Sequence, residues 1–238
     1  MENNMGTFYG IGVGPGDPEL ITMKAIRILQ RVDVVFAAAS TKNNHSLAVS
    51  IAKPHIPEAT PIQRLSFPMT TDKAVTRKAW EENADIIYKS LSKGDDVAFL
   101  TLGDPMTYST YGYVLKYMNR IAENLPIVTV PGITSYQAAA ARLNVPLVEG
   151  EESLLVVSGA MGGDRLRQQT VKPENVVFLK AYRNVEDITR AIGEADADYR
   201  CMGVSKCSQT DEKVMLDIEE LESRSPDYWT LIIAKQKK

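Results

Sequence analysis

The sequence of 238 residues predicts an α/β protein of two domains, with a parallel sheet in the first and a mixed sheet in the second. Two observations carry that expectation. Apolar runs and amphipathic segments alternate as far as Leu143, a pattern that implies parallel strands joined by right-handed helical crossovers. After the polar stretch Asn144–Ser153, "NVPLVEGEES", strands begin to follow one another with short connections. The expected division lies there, with residues 1–147 as one domain and 148–238 as the other.

Taken in order, Thr7–Val13 ("TFYGIGV") reads as the first strand, and a helix is expected from about Pro18 to Arg31. Asp33–Ala39 is the second strand, and the next helix begins at Ser46. Ile62–Phe67 is short and strand-like. Asp72–Ser92 is a long polar helix with Trp80, Ala84, Ile87 and Leu91 on one face. Asp96–Leu102 is a buried strand, Tyr108–Ile121 a helix, Pro126–Val130 a strand and Ser135–Leu143 a helix. In the second half, Leu154–Gly159 and Asn175–Ala181 are strands flanking a helix. Cys201–Lys206, Glu212–Ile218 and Tyr228–Lys235 are three further strands. Ligands of open parallel sheets sit beyond the carboxyl ends of the strands, so the turns that follow the strands are the places to look for chemistry.

Composition narrows the function classes. At 44% hydrophobic and 24% charged residues the chain is globular, and a net charge of −3 argues against a nucleic-acid partner held by a broad basic field. The longest evident apolar run, Val34–Ala39, falls far short of the ~18 residues of a membrane span. "MENNMGT" lacks the basic flank and apolar core of a signal peptide, so a cytoplasmic protein without a membrane partner is expected. Cys201 and Cys207 fit no metal spacing, and His45 and His55 form no HExxH pair; no protein-bound metal is expected.

The stretch Tyr9–Leu20, "YGIGVGPGDPEL", is rich in glycine without being a phosphate loop. It lacks the lysine of the P-loop pattern, and the dinucleotide pattern G-x-G-x-x-G meets Pro15 or Asp17 at its sixth position. Asp17 fits a helix N-cap with Pro18 at the first helical position. Asp17 and Glu19 would then already fill the place an anion would take. A plain capped turn explains Asp17 and Pro18. The glycines also permit close backbone approach, which suits the wall of a binding site.

At "GIGVGPGDPELITMKAIRIL" the chain resembles the tetrapyrrole methylase family, whose members move methyl groups from S-adenosylmethionine to porphyrinoid rings. Leu100–Tyr111 ("LTLGDPMTYSTY") resembles the family's G-D-P loop, and Val130–Leu147 its P-G-I-[ST]-[SA] segment. Val176–Asn184 sits where a later cofactor-contacting strand belongs. The resemblance implies the family's two-domain fold, with the active site in the cleft between the domains, a homodimer and S-adenosylmethionine as methyl donor. "YGIGVGPGDPELITMKA", "GDPMTYSTY" and "FPMT" (Phe67–Thr70) are most similar to members that methylate carbon 20 of cobalt-factor II or precorrin-2 in cobalamin biosynthesis. Diphthine synthase and a ribosomal-RNA methylase share the fold and are the alternatives.

The same resemblance implies site residues. The cofactor would lie against the G-D-P loop, and the glycine-rich turn would face the tetrapyrrole. Gly103 would let backbone groups come close, Asp104 would accept from the cofactor's ammonium or hydroxyls, and Thr107, Tyr108 and Ser109 would add hydroxyls. A Gly-Asp-Pro turn capping a helix accounts for these residues without a ligand. Thr134 and Ser135 could meet the cofactor or simply cap the next helix. By similarity Leu102, Lys180, Ala181, Cys207 and Ser208 also line the cofactor site, although Lys180 could instead reach a substrate carboxylate. Asp17 is the candidate base for the proton lost from carbon 20, set against its role as N-cap. Lys42, His45, Lys53 and Arg64 are candidates to meet the eight carboxylates of factor II. The polar loop Thr41–Ser46 could cover a ligand or be a solvated connection.

Overall fold

A computed structural model describes residues 5–39, 46–68, 70, 72–195, 197–217, 220, 222 and 227–237. Contacts divide the chain into two compact units, Met1–Thr134 and Ser135–Lys238. The helix Ser135–Leu143 therefore belongs to the second unit, where the sequence had put the division after residue 147.

The first unit is built on five parallel strands: β1 Phe8–Gly12, β2 Val34–Ala39, β3 Ile62–Ser66, β4 Val97–Thr101 and β5 Ile127–Val130. Their order is β3-β2-β4-β1-β5. β1 and β4 are buried at every position, as expected of strands covered on both faces. On one face Ile11, Val35, Ala37 and Leu100 pack with α1 (Met23–Leu29) and α2 (Leu47–Ala52). On the other, Phe8, Phe36 and Phe99 pack with α3 (Lys73–Leu91) and α4 (Tyr111–Ile121). As the helical spacing predicts, α3 buries Ala84, Ile87 and Leu91, while Trp80 stacks on Tyr113 of α4 with ring centroids 4.0 Å apart.

Two helix boundaries differ from the sequence expectation. The helix predicted from Pro18 to Arg31 is a single 3-10 turn, Pro18–Leu20, followed by the separate α1. Ile21 and Thr22 have extended backbone between them, and Thr22 Oγ1 accepts from Ala25 N at 3.2 Å to start α1 afresh. The helix predicted from Tyr108 begins instead at Tyr111, because Tyr108 has a left-handed backbone (φ 49°) that a right-handed helix cannot use.

In the second unit α5 (Ser135–Leu143) precedes β6 (Leu154–Ser158), α6 (Asp164–Arg167), β7 (Asn175–Leu179), α7 (Val185–Gly193), β8 (Tyr199–Ser205), β9 (Lys213–Met215) and β10 (Thr230–Gln236). The sheet order is β6-β7-β10-β8-β9, with β6 parallel to β7 and the other pairs antiparallel. The mixed sheet is as the sequence predicts. Helix α7 was not anticipated, yet Val185, Ile188, Ala191 and Ile192 carry its buried stripe at the 3–4 spacing of a helix. β9 is only three residues long, against a predicted run of Glu212–Ile218, because Leu216 and Asp217 have already left the sheet.

The Arg167 guanidinium fastens α6 to α7. It donates to both carboxylate oxygens of Asp187 (2.9 and 3.1 Å) and to Glu194 (2.8 Å), while Gly163 N also donates to Asp187 (2.8 Å). Arg167, then the Gly163 amide, hold the Asp187 carboxyl down at about 2, from an ordinary value of 3.8. Its contribution to stability is therefore complete above pH 4 and fades as the pH falls toward 2. Asp187→Asn should lower the melting temperature at pH 7, and thermal unfolding across pH 7 to 2.5 should show the gap to the parent closing below pH 4.

Candidate active site

Three turns meet backbone to backbone at the carboxyl ends of the adjacent strands β4, β1 and β5. Gly103 N donates to Gly14 O at 2.7 Å, and Gly14 N returns a bond to Gly103 O at 3.3 Å. A Cβ on Gly12 would fall 2.7 Å from both Gly103 O and Gly132 N, and one on Gly132 would fall 2.2 Å from Gly103 O. No side chain fits either place. Gly103 itself has φ +67° and Gly14 φ +80°, which glycine adopts without strain.

Asp104 holds this junction in register. Its Oδ2 accepts from Gly132 N at 3.1 Å, and its Oδ1 accepts from Met106 N at 2.9 Å and from the Thr107 hydroxyl at 3.4 Å. The sequence reading gave Asp104 to the cofactor; in the folded chain it first ties two of the three turns together. An ionised carboxylate has about four acceptor sites, so one remains for a further donor.

Beyond the turn, the Thr101 and Ser109 hydroxyls are 2.6 Å apart, and Ser109 Oγ accepts from Tyr111 N at 3.0 Å. Between the Asp104 and Ser109 anchors lies Tyr108, left-handed and exposed. A non-glycine residue held in that region costs of order 1–3 kcal/mol and marks places where geometry is constrained for function. Tyr111 fills the space under β1: a Cβ on Gly10 would lie 2.2 Å from its ring, and its hydroxyl pairs with Thr129 Oγ1 at 2.8 Å. Burial pushes the Tyr111 phenol above its ordinary value, so it serves as a neutral prop. Leu102 packs partly buried against the core; Thr134, buried, ends the first unit, and Ser135 opens α5.

Asp17 caps the 3-10 turn, its Oδ1 accepting from Glu19 N at 2.8 Å; no partner is seen for its Oδ2 among the described residues. His55 Nε2 lies 3.2 Å from Pro18 O, and since a carbonyl can only accept, that nitrogen carries the proton. Lys53 and Arg64 are exposed in the same unit. Lys42, His45 and the loop Thr41–His45, like Met69 of the Phe67–Thr70 stretch, lie outside the described residues.

The remaining predicted residues gather at one end of the second sheet. β7 and β8 both flank β10, and the turns that follow them close on its first residues. Ala181 N donates to Thr230 O at 2.9 Å, and Lys206 N to Trp229 O at 3.3 Å. Lys180 (φ 60°), Lys206 (φ 51°) and Ser208 (φ 63°) are all left-handed, a concentration of strain that sequence patterning gives no means to see. Ser208 N donates to Glu212, which also accepts from Arg142 of α5. Burial, with the Glu212 charge adding to it, lifts the Cys207 thiol to about 11 against a weaker opposing bond from Ser208. At neutral pH it is a protonated, unreactive wall. Tyr182, Tyr228 and Trp229 stack edge to face beside these turns, an aromatic group the sequence reading missed.

A family model described as Tetrapyrrole (Corrin/Porphyrin) Methylases matches residues 7–222. The chain belongs to the tetrapyrrole methylase family. A relative named "Probable cobalt-precorrin-2 C(20)-methyltransferase" from Methanocaldococcus jannaschii is 35% identical, covering 97% of this chain and 96% of that protein. The cobalt-precorrin-2 C(20)-methyltransferase of Salmonella typhimurium is 31% identical, with 97% of each chain covered. Among solved structures, a cobalt-precorrin-4 methyltransferase superposes with a TM-score of 0.72 at 22% identity, covering 96% of this chain and 94% of that one. A uroporphyrin-III C-methyltransferase from Thermus thermophilus, complexed with S-adenosyl homocysteine, gives 0.69 at 23% identity, covering 97% and 92%. These structures establish that the chain has the tetrapyrrole methylase fold.

The junction of Gly12, Gly103 and Gly132 has a direct check. Gly132→Ala must push Gly103 away, and should lower the stability of the chain by about 1–3 kcal/mol in urea unfolding.

Proposed function

We propose that this tetrapyrrole methylase transfers the methyl group of S-adenosylmethionine to carbon 20 of cobalt-factor II or precorrin-2, a step of cobalamin biosynthesis. The observation that carries the reading is the near full-length similarity, at 35% and 31% identity, to two proteins named for methylation at that carbon. The donor set of the turn after β4 fits the cofactor: one remaining acceptor position on Asp104, the hydroxyls of Thr107 and Tyr108, and backbone opened by Gly103. Thr134, Ser135, Lys180, Ala181, Cys207 and Ser208 complete the cofactor set in this proposal, and the working unit is a cytoplasmic homodimer.

When bound, S-adenosylmethionine supplies a methyl group on a positively charged sulfur, which the nucleophilic ring carbon displaces with loss of a proton. What the chain contributes is chiefly alignment. Rigid backbone junctions hold the cofactor turn, and positioning alone can supply effective molarities of ~10⁵ M or more. Cys207, kept protonated by burial, offers no competing thiolate at neutral pH. In this proposal Asp17, one carboxylate oxygen of which accepts from Glu19 N, takes the proton through the other.

Incubation with methyl-labelled S-adenosylmethionine and either cobalt-factor II or precorrin-2 should place label in the ring; label found only in protein or RNA would refute the proposal. Asp17→Ala should slow methyl transfer by about 10²–10⁴-fold, the usual size of acid–base assistance, with cofactor affinity unchanged by calorimetry. Equal loss of both would remove Asp17 from the role of base.

A further inference from the structure

Four lysines of the described residues are partly buried: Lys172, Lys180, Lys206 and Lys235. Three have visible partners. Lys172 donates to the carbonyls of Leu166, Arg167 and Gln169 at the end of α6. Lys206 pairs with Asp211 and Asp227, and Lys235 with Glu149 and Glu152. Lys180 alone of these four has neither an ion pair nor a hydrogen bond from its ammonium among the described residues.

The backbone sharpens the contrast. Lys180 stands at φ +60° directly after β7, a conformation that glycine would adopt without strain. Its turn is fixed on both sides: Tyr182 N donates to Lys180 O at 3.0 Å, and Ala181 N is bonded to Thr230 O. A long cationic side chain is thus kept where the backbone favours glycine, at a fixed point, with no counter-charge paired to it among the described residues. Across β10 stands the second such turn, Lys206–Ser208, whose lysine is already neutralised by Asp211 and Asp227.

We infer that Lys180 is a binding residue whose ammonium receives a carboxylate from a ligand. The inference rests on the proposed methyl transfer, which offers two sources of that chemistry: an acetate or propionate side chain of the tetrapyrrole, and the amino-acid tail of the cofactor. Lysine suits either, being a point charge on a flexible stem that needs no bidentate geometry.

Three variants test it. Lys180→Met keeps the stem and removes the charge, Lys180→Arg keeps the charge, and Lys180→Gly relieves the backbone. Titration calorimetry with S-adenosylhomocysteine gives cofactor affinity, and steady-state kinetics with precorrin-2 give KM and kcat for the ring. The Met and Gly variants should each lose about tenfold or more in one of the two constants, the size of one charge-assisted hydrogen bond. Lys180→Arg should stay within a few-fold of the parent. A rise in KM for precorrin-2 alone, with kcat little changed, assigns the carboxylate to the ring. A rise in the S-adenosylhomocysteine Kd alone, with 5′-methylthioadenosine (which lacks the tail) binding parent and variant alike, assigns it to the cofactor. Lys180→Gly should melt no lower than the parent; a lower melting temperature with both constants intact would make the residue structural and overturn the inference. Both constants within twofold of the parent in Lys180→Met would overturn it as well. A parent enzyme that binds neither ligand would instead bring down the methyl-transfer reading, and this inference with it.

Discussion

Everything proposed for the first unit depends on three main chains touching where side chains cannot intervene. Gly12, Gly103 and Gly132 stand at the ends of the neighbouring strands β1, β4 and β5, and a single methyl group at Gly132 would run into Gly103 O at 2.2 Å. Such contact is possible only because the three strands are parallel and adjacent, so that their carboxyl ends emerge side by side. The sheet supplies the coincidence of the three turns, and glycine lets them close. Two hydrogen bonds between Gly14 and Gly103 and one from Gly132 to Asp104 then fix the register.

This changes how Asp104 is understood. A carboxylate in a turn beside a cofactor invites a direct role, but most of its acceptor capacity here is used on Met106, Thr107 and Gly132. Its main work is to hold the turn open in one shape, with Thr101 and Ser109 doing the same at the far end. Tyr108, strained and exposed between the two anchors, is the side chain that this effort displays. The second unit spends its strain similarly. Lys180, Lys206 and Ser208 all take left-handed backbone around the start of β10, in a family whose chemistry demands alignment more than reactive groups.

Much of this was legible in the sequence. Alternating apolar and amphipathic segments point to the first sheet, because parallel strands need crossovers, and strands joined by short connections point to the mixed second one. The turns at Gly103–Asp104 and Thr134–Ser135 stand out because ligands gather at the carboxyl ends of strands, whereas Leu102 and Lys180 are singled out by the family resemblance alone. What could not be read was whatever depends on tertiary partners. The break between the Pro18 turn and α1 comes from Thr22 capping anew, a choice that helical spacing does not reveal. The left-handed turns are held by bonds that spacing does not reveal, the distant one from Ala181 N to Thr230 O and the local one from Ser208 N to Glu212 among them. Helix α7 is different: its stripe of Val185, Ile188, Ala191 and Ile192 follows helical spacing in the sequence itself.

The central claim is that the turn fixed by the glycine junction, residues 102–109, receives the methyl donor. Hydrogen–deuterium exchange with and without saturating S-adenosylhomocysteine tests it most directly. The account predicts slower exchange in peptides covering residues 102–109, with peptides covering 12–17 unchanged. Slowing confined to 12–17, or none anywhere, would contradict it.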